Sequence, residues 1–126
     1  MESEISAALA SDGTIDITTI GARSGLPRRA EIWFLHLGGR TFISGTPGPR
    51  NWYSNVLAHD RFTFHLKESI SADLEARAVS VLDEPTRRWV LSQPHRWNDW
   101  YRAEASLDDL VGGSPMIEVF FAEGSA

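Results

Sequence analysis

The sequence predicts a mainly β protein with helices, an α+β chain folded as a small six-stranded antiparallel barrel with helical connections. Three observations predict it. Short apolar stretches alternate with polar residues at strand period, as in Thr14 to Ile20 and Arg61 to Lys67. Gly38-Gly39 lies between two such stretches as a two-residue hairpin turn. The first three strands are separated by too few helical segments for a doubly wound parallel sheet, in which each parallel pair needs a long crossover. Closing the sheet into a barrel would remove its exposed edges.

Taken in order, Glu2 to Ala10 reads as a short helix, because Ile5, Ala8 and Leu9 fall three and four apart on one stripe. Ser11-Asp12-Gly13 is a turn, and Ile15 and Ile17 then alternate with polar neighbours along a strand from Thr14 to Ile20. From Arg29 to Leu37 both faces are apolar, with Ile32 and Phe34 on one side and Trp33, Leu35 and Leu37 on the other. That pattern predicts a central strand covered twice. After the Gly-Gly hairpin, Arg40 to Ser44 returns as its partner, and the breaker-rich Gly45-Thr46-Pro47-Gly48-Pro49 opens a helix from Arg50 to His59.

Along Arg61 to Lys67, Phe62, Phe64 and Leu66 point inward, leaving Thr63, His65 and Lys67 toward solvent or a ligand. Another strand runs to about Leu82, with Leu74, Ala76 and Ala78 opposed to Glu75, Arg77 and Val79; the small residues leave room for something packed across them. Asp83 or Glu84 with Pro85 starts a helix that lasts through Ser92. Trp97, Trp100 and Tyr101 share the face of a following helix, and Ser106-Leu107-Asp108-Asp109 caps a further one that ends at Gly112-Gly113. The last strand is Pro115 to Phe121, and the tail from Ala122 to Ala126 is expected to fray.

A chain of 126 residues fits one domain, 1–126, with enough length for a proper core. Its 42% apolar and 23% charged content is that of an ordinary globular protein. The absence of cysteine removes disulfides, thiolate zinc sites, iron-sulfur clusters and cysteine nucleophiles. A net charge of -5 opposes general nucleic-acid binding, which needs a broad basic face. No apolar run approaches the ~20 residues of a membrane span, and Met1 to Ser11 lacks the pattern of a signal peptide. The expectation is a cytoplasmic protein with no stable membrane insertion.

Against that acidic balance, Thr18 to Arg29 stands out: a β-branched run empties into a loop with Gly21, Arg23, Ser24, Gly25, Pro27, Arg28 and Arg29. Glycine lets successive amides converge on one point, and arginine's planar fork matches phosphate oxygens, so the stretch reads as an anion cradle or as a charged hairpin turn. The helix start at Arg50 is a second anion-binding candidate. His36, His59, His65 and His95 have no metal-ligand spacing, and no metal is expected.

Four segments resemble the deazaflavin-dependent nitroreductase family: Thr18 to Arg29, Glu31-Ile32-Trp33-Phe34, Ser44 to Tyr53, and Gly113 to Val119. That family uses coenzyme F420 on a split β-barrel related to the flavin-binding pyridoxamine-phosphate oxidase fold. The resemblance implies that Arg23, Ser24, Gly25 and one of Arg28 or Arg29 hold the coenzyme's phosphate and acidic tail. It also implies that Ser44, Gly45, Thr46, Pro47, Gly48, Arg50 and Asn51 line the deazaflavin ring, and that the chain is a homodimer. Beside them, Trp52 either meets the cofactor or packs in the core, and Asn55 either orients the cofactor or caps nearby backbone. Ala22 and Thr46 stand where relatives often carry basic residues, which implies a weaker grip on a polyglutamate tail or a different cofactor preference.

Hydride transfer from a reduced deazaflavin needs stacking and orientation more than a dedicated triad. Reduction of a quinone or nitro group also needs a proton donor, for which Tyr53, Tyr101 and Ser44 are the candidates. Trp97 and Trp100 either line a substrate pocket with Tyr101 or pack a helix on the barrel. The expected activity is therefore an F420-dependent reductase of small unsaturated acceptors. The alternatives are an enzyme dependent on flavin mononucleotide, or a non-catalytic carrier of flavin, haem or an apolar ligand.

Overall fold

A computed structural model describes residues 2–122 and gives a mixed α+β molecule in which a curled antiparallel sheet forms a half-barrel. All of the expected fraying tail except Ala122 lies outside the described residues. The chain runs α1 (Ser3–Ser11), β1 (Thr14–Ile20), β2 (Pro27–Trp33), β3 (Leu35–Leu37), β4 (Arg40–Ser44), α2 (Asn51–Ala58), β5 (Arg61–Leu66) and β6 (Ala72–Ser80). It continues through α3 (Glu84–Ser92), α4 (Arg96–Glu104), α5 (Leu107–Gly113) and β7 (Met116–Phe121). The strands lie in the order β2-β1-β5-β6-β7-β4-β3, and every pairing is antiparallel.

The sheet has seven strands where six were expected, because the single strand from Arg29 to Leu37 is broken at Phe34. Phe34 donates its amide to the Gly13 carbonyl at 3.0 Å instead of continuing a ladder, and its ring is fully buried. That one residue carries the chain from one edge of the sheet to the other: β2 pairs with β1, and β3 pairs with β4. Residues 27–31 are exposed, so β2 is an edge strand and not a central one covered twice. The two-sided pattern belongs to the bend. Phe34, with Ile32 packed against it, joins the core inside the barrel, while Leu35 joins a second core under α3, α4 and α5, with Trp33 and Leu37 against it.

Strand alternation builds the first core from Ile15, Ile17, Ile43, Phe62, Phe64, Leu74, Ile117 and Val119, with Ile5 and Leu9 of α1 added to it. The second core sets Phe42 and Met116, on the opposite face of β4 and β7, against Val90, Leu91, Tyr101 and Leu110. Helix α2 meets β1 and β6, so Val56 shares the first core with Ala76 and Ala78. Gly38 and Gly39 both have positive φ, 57° and 78°, as the tight β3–β4 hairpin requires. Asp83 caps α3 by accepting from the Thr86 amide, and Ser106 caps α5 by accepting from Asp109.

His65 departs from the outward reading. It lies on the outer face of β5 but is buried, its Nε2 2.7 Å from Thr18 Oγ1 and its Nδ1 2.7 Å from Asp73 Oδ1. Its partners come from the neighbouring strands, Thr18 of β1 and Asp73 of β6, which alternation along one strand does not reveal.

Candidate functional site

Two cavities meet at Trp52, on the first turn of α2. One, of about 680 Å³, is lined by Thr19, Gly21, Arg23, Arg28, Asn51 and Asn55 among others. The other, of about 320 Å³, opens between the ends of β2 and β4 and is lined by Glu31, Ile32, Trp33, Ser44, Arg50, Trp52 and Tyr101. The first is cationic, and the second combines the rings of Trp33, Trp52 and Tyr101 with the polar Glu31, Ser44 and Arg50.

The loop between β1 and β2 forms the wall of the larger cavity. Gly21 and Leu26 close it, the Gly21 amide donating to the Leu26 carbonyl at 2.9 Å, and Gly25 turns with φ 70° while its own amide reaches the Gly21 carbonyl. A Cβ on Gly21 would lie 2.3 Å from Ser24 Oγ, so a side chain there would displace the Ser24 hydroxyl from its place in the turn. Ser24 Oγ accepts from the Leu26 amide, and the Ala22 amide donates to Asn55 Oδ1 at 2.9 Å. With Gly21, Ala22, Gly25 and Leu26 all donating within the protein, the loop is not an open nest of amides. Its capacity for an anion rests on side chains.

Alternation along β2 separates the arginines. Arg28 pairs in register with Thr19 and Ala30 with Ile17, on the face that lines the cavity. Arg29 is opposite Thr18, and although it contributes to the cavity wall its guanidinium bonds Asp16 Oδ2 at 3.0 Å. Asp16 also accepts from Lys67 Nζ at 2.7 Å, and Lys67 reaches Glu31 as well, making a four-membered ladder on the outer face. The Lys67 ammonium, and then Arg29, hold the Asp16 carboxyl below the usual carboxylate range. Among the described residues, neither Arg23 nor Arg28 has a hydrogen-bond or ion-pair partner.

Asn55 is buried, and its carboxamide is fully engaged: Oδ1 takes the Ala22 amide and Nδ2 donates to Thr19 Oγ1 at 3.0 Å. It borders the cavity while pinning the loop to α2. Asn51 and Trp52 line the same cavity, and α2 starts without a side-chain cap from Arg50.

Ser44 and Arg50 line the smaller cavity, but Gly45, Thr46, Pro47 and Gly48 between them line neither cavity, because the Gly45–Pro49 loop is drawn onto its own arginine. Arg50 Nη2 donates to the Thr46 carbonyl and to Thr46 Oγ1, at 3.1 and 2.8 Å, and Nη1 donates to the Pro49 carbonyl. Gly48 has φ 127°. The Ser44 hydroxyl donates to the Pro115 carbonyl at 2.8 Å, so its proton is already committed. The Tyr53 hydroxyl bonds Ser80 Oγ, and Tyr53 lines neither cavity. Tyr101 is different: its hydroxyl makes only a long 3.5 Å contact with the Ser44 carbonyl, and burial pushes its pKa up to about 12. Of the three proton-donor candidates, Tyr101 alone combines a place in the cavity with a lightly held proton.

Trp33 escaped selection as a site residue in the sequence reading. It stacks on Trp97 with centroids 3.9 Å apart and planes 6° apart, and it touches Trp100 edge-on and Tyr101 at a tilt. The aromatic face of α4 therefore packs through Trp33, which presents the cluster to the cavity; Trp97 and Trp100 do not line it. The clue lay in one indole on β2 matched to a helical aromatic stripe, but only pairing across 64 residues of sequence could connect them.

Comparisons with known proteins bear on the fold and on the family. The chain aligns over 94–98% of its length with several solved structures. Among them are HutZ, a haem storage protein of Vibrio cholerae (15% identity, 98% of this chain, 91% of that chain, TM-score 0.71), and an FAD-binding protein of Mesorhizobium loti (14%, 98%, 91%, 0.71). A third is a protein of the pyridoxinephosphate oxidase family from Clostridium acetobutylicum (12%, 94%, 81%, 0.71). These likenesses show the fold, a split barrel. No curated protein is close enough in sequence to be matched. Residues 1–109 match the family model of the F420H(2)-dependent quinone reductases, and the chain belongs to that family.

Proposed function

We propose that this protein binds coenzyme F420 across the two cavities and reduces a small unsaturated acceptor, a quinone or a nitro compound. The observation that carries this reading is the pairing of two unpartnered arginines in one cavity with an aromatic slot in the next, joined at Trp52. The dimensions and chemistry fit a long cofactor with an anionic tail and a flat ring. When bound, the reduced deazaflavin supplies the hydride.

The chain's own residues do the rest. Arg23 and Arg28 hold the phosphate and acidic tail, with Ser24 and Gly25 shaping the turn that presents them. Gly45 to Asn51 and Trp52 position the ring, and Ile32, Trp33 and Tyr101 form apolar walls that exclude water and favour flat acceptors. The Tyr101 phenol stays protonated at neutral pH and donates a hydrogen bond to the acceptor oxygen on which negative charge develops. The active unit is a homodimer, a reading supported by the exposed, unpaired edge of β2.

Titration of the purified protein with coenzyme F420, read by ring fluorescence, is expected to saturate at micromolar concentration. The reduced coenzyme is then expected to be oxidised steadily with menadione or a nitroaromatic present. Absence of saturable binding would sink the proposal. A carrier on the same barrel is the second reading, favoured by the commitment of the Ser44 and Tyr53 hydroxyls elsewhere. Saturable binding without turnover would establish it, and a yellow protein as purified would point to flavin mononucleotide.

A further inference from the structure

Arg87, on α3, is buried, and among the described residues no carboxylate pairs with it, an unusual position for a guanidinium. Its guanidinium donates to three backbone carbonyls: Nε to Val111 at 2.6 Å, Nη1 to Val81 at 2.9 Å, and Nη2 to Ser114 at 2.6 Å. These belong to three segments, the end of α5, the exit from β6, and the turn into β7. The last carbonyls of a helix have no partner within it, and a cation there also meets the negative end of the helix dipole.

The remaining carbonyls at the end of α5 reveal what this arrangement supports. Leu110 accepts from the Ser114 amide, while Gly113 accepts from the amide of Gly48, in the loop of the smaller cavity, at 3.4 Å. Pro47 lies against Gly113 so closely that a Cβ there would stand 3.1 Å from Pro47 Cβ. Two residues further, the Pro115 carbonyl holds the Ser44 hydroxyl. The segment from Gly113 to Pro115 is thus the floor on which Ser44 and the Pro47-Gly48 turn rest, and Arg87 fixes that floor from beneath.

We infer that Arg87 is a positioning residue for the 45–50 loop, acting through the α5–β7 turn to set the geometry of the smaller cavity. It touches neither cavity itself. The link to cofactor binding rests on the function proposed above; the link to loop geometry does not.

Two variants test it, Arg87→Lys and Gly113→Ala, each compared with the wild-type protein by hydrogen exchange and by F420 titration. Lysine keeps the charge but cannot span three carbonyls, so amides of residues 45–52 are expected to exchange at least tenfold faster, along with those at the end of α5. Gly113→Ala leaves all three Arg87 bonds in place and presses on Pro47. It is expected to weaken F420 binding several-fold with little change in Tm, while kcat at saturating coenzyme stays near the wild-type value. Faster exchange confined to α3 and α5 in Arg87→Lys, with residues 45–52 at the wild-type rate, overturns the inference. Should the wild-type protein fail to bind F420, the functional reading falls and the exchange comparison still decides the role of Arg87.

Discussion

The two loops that meet at Trp52 both carry arginine and glycine, yet they use them in opposite ways. In the 21–26 loop the backbone holds itself, four amides and Asn55 being engaged, while Arg23 and the adjoining Arg28 are left without partners. In the 45–50 loop the arginine is consumed: Arg50 bonds Thr46 and Pro49, and the turn leans on Gly113. Free guanidinium donors are open to an anion, whereas donors already held by neighbouring oxygens give shape. The first loop should therefore govern affinity through electrostatics, and the second through geometry.

The sharpest way to break that contrast is the double variant Arg23→Ala, Arg28→Ala. Charge-assisted hydrogen bonds contribute ~1.5–3 kcal/mol each, so F420 affinity should fall about 100-fold or more at low ionic strength. The gap should narrow as salt screens the wild-type protein. Fluorescence titrations at two salt concentrations measure both effects, and unchanged affinity would make the loop a plain charged turn.

Next in size is Asn55→Ala, which leaves the Ala22 amide and Thr19 hydroxyl without their partner. Thr19 is buried, and an unsatisfied buried group costs ~1–3 kcal/mol, so a thermal melt should show a loss of several degrees. An unchanged Tm would mean that the first loop is not pinned through α2. Arg50→Ala should cost less, about tenfold in coenzyme affinity, because its donors are already held by Thr46 and Pro49 and serve chiefly to shape the loop. Affinity within about twofold of wild type would show that the loop keeps its shape without that guanidinium.

Smallest of all is Arg29→Ala. Its partner Asp16 lies on the outer face, and an exposed pair contributes only ~0–1 kcal/mol, so F420 affinity should stay within about twofold of wild type. The ladder has its own signature in acid. Because the folded protein holds the Asp16 carboxyl low, its contribution to stability is complete above its unfolded value and disappears as pH falls through the folded one. Denaturant unfolding of Asp16→Asn should show a flatter decline in stability below about pH 4 than wild type does.

Much of this molecule was legible residue by residue. Strand Thr14–Ile20, strand Arg40–Ser44 and the helix ending at Ser92 have their expected limits, because alternation, a Gly-Gly turn and an Asp-Glu-Pro start are local signals. The segments that border the two cavities were also visible in the chain, by resemblance as well as by composition. What local pattern did not reveal was the direction in which each group is spent. Neighbouring arginines at 28 and 29 look alike until the register with β1 puts Thr19 opposite one and the outer ladder beside the other. Ser44 and Tyr53 looked as available as Tyr101 until Pro115 and Ser80 claimed their hydroxyls.

By itself, then, the sequence determined the strand and helix inventory, the antiparallel barrel and the two basic loops, since period, turn chemistry and charge depend on neighbours a few residues away. Tertiary structure alone decided the break at Phe34, the burial of His65, the joining of Trp33 to Trp97 and the seat of Arg87 beneath the second loop. Each of those depends on a partner brought from a distant part of the chain, as Gly13 is to Phe34 and Val111 to Arg87. Hydrogen bonds and close packing reward such meetings only after the sheet has curled, so a sequence read along its length carries the ingredients of the site without their assignments.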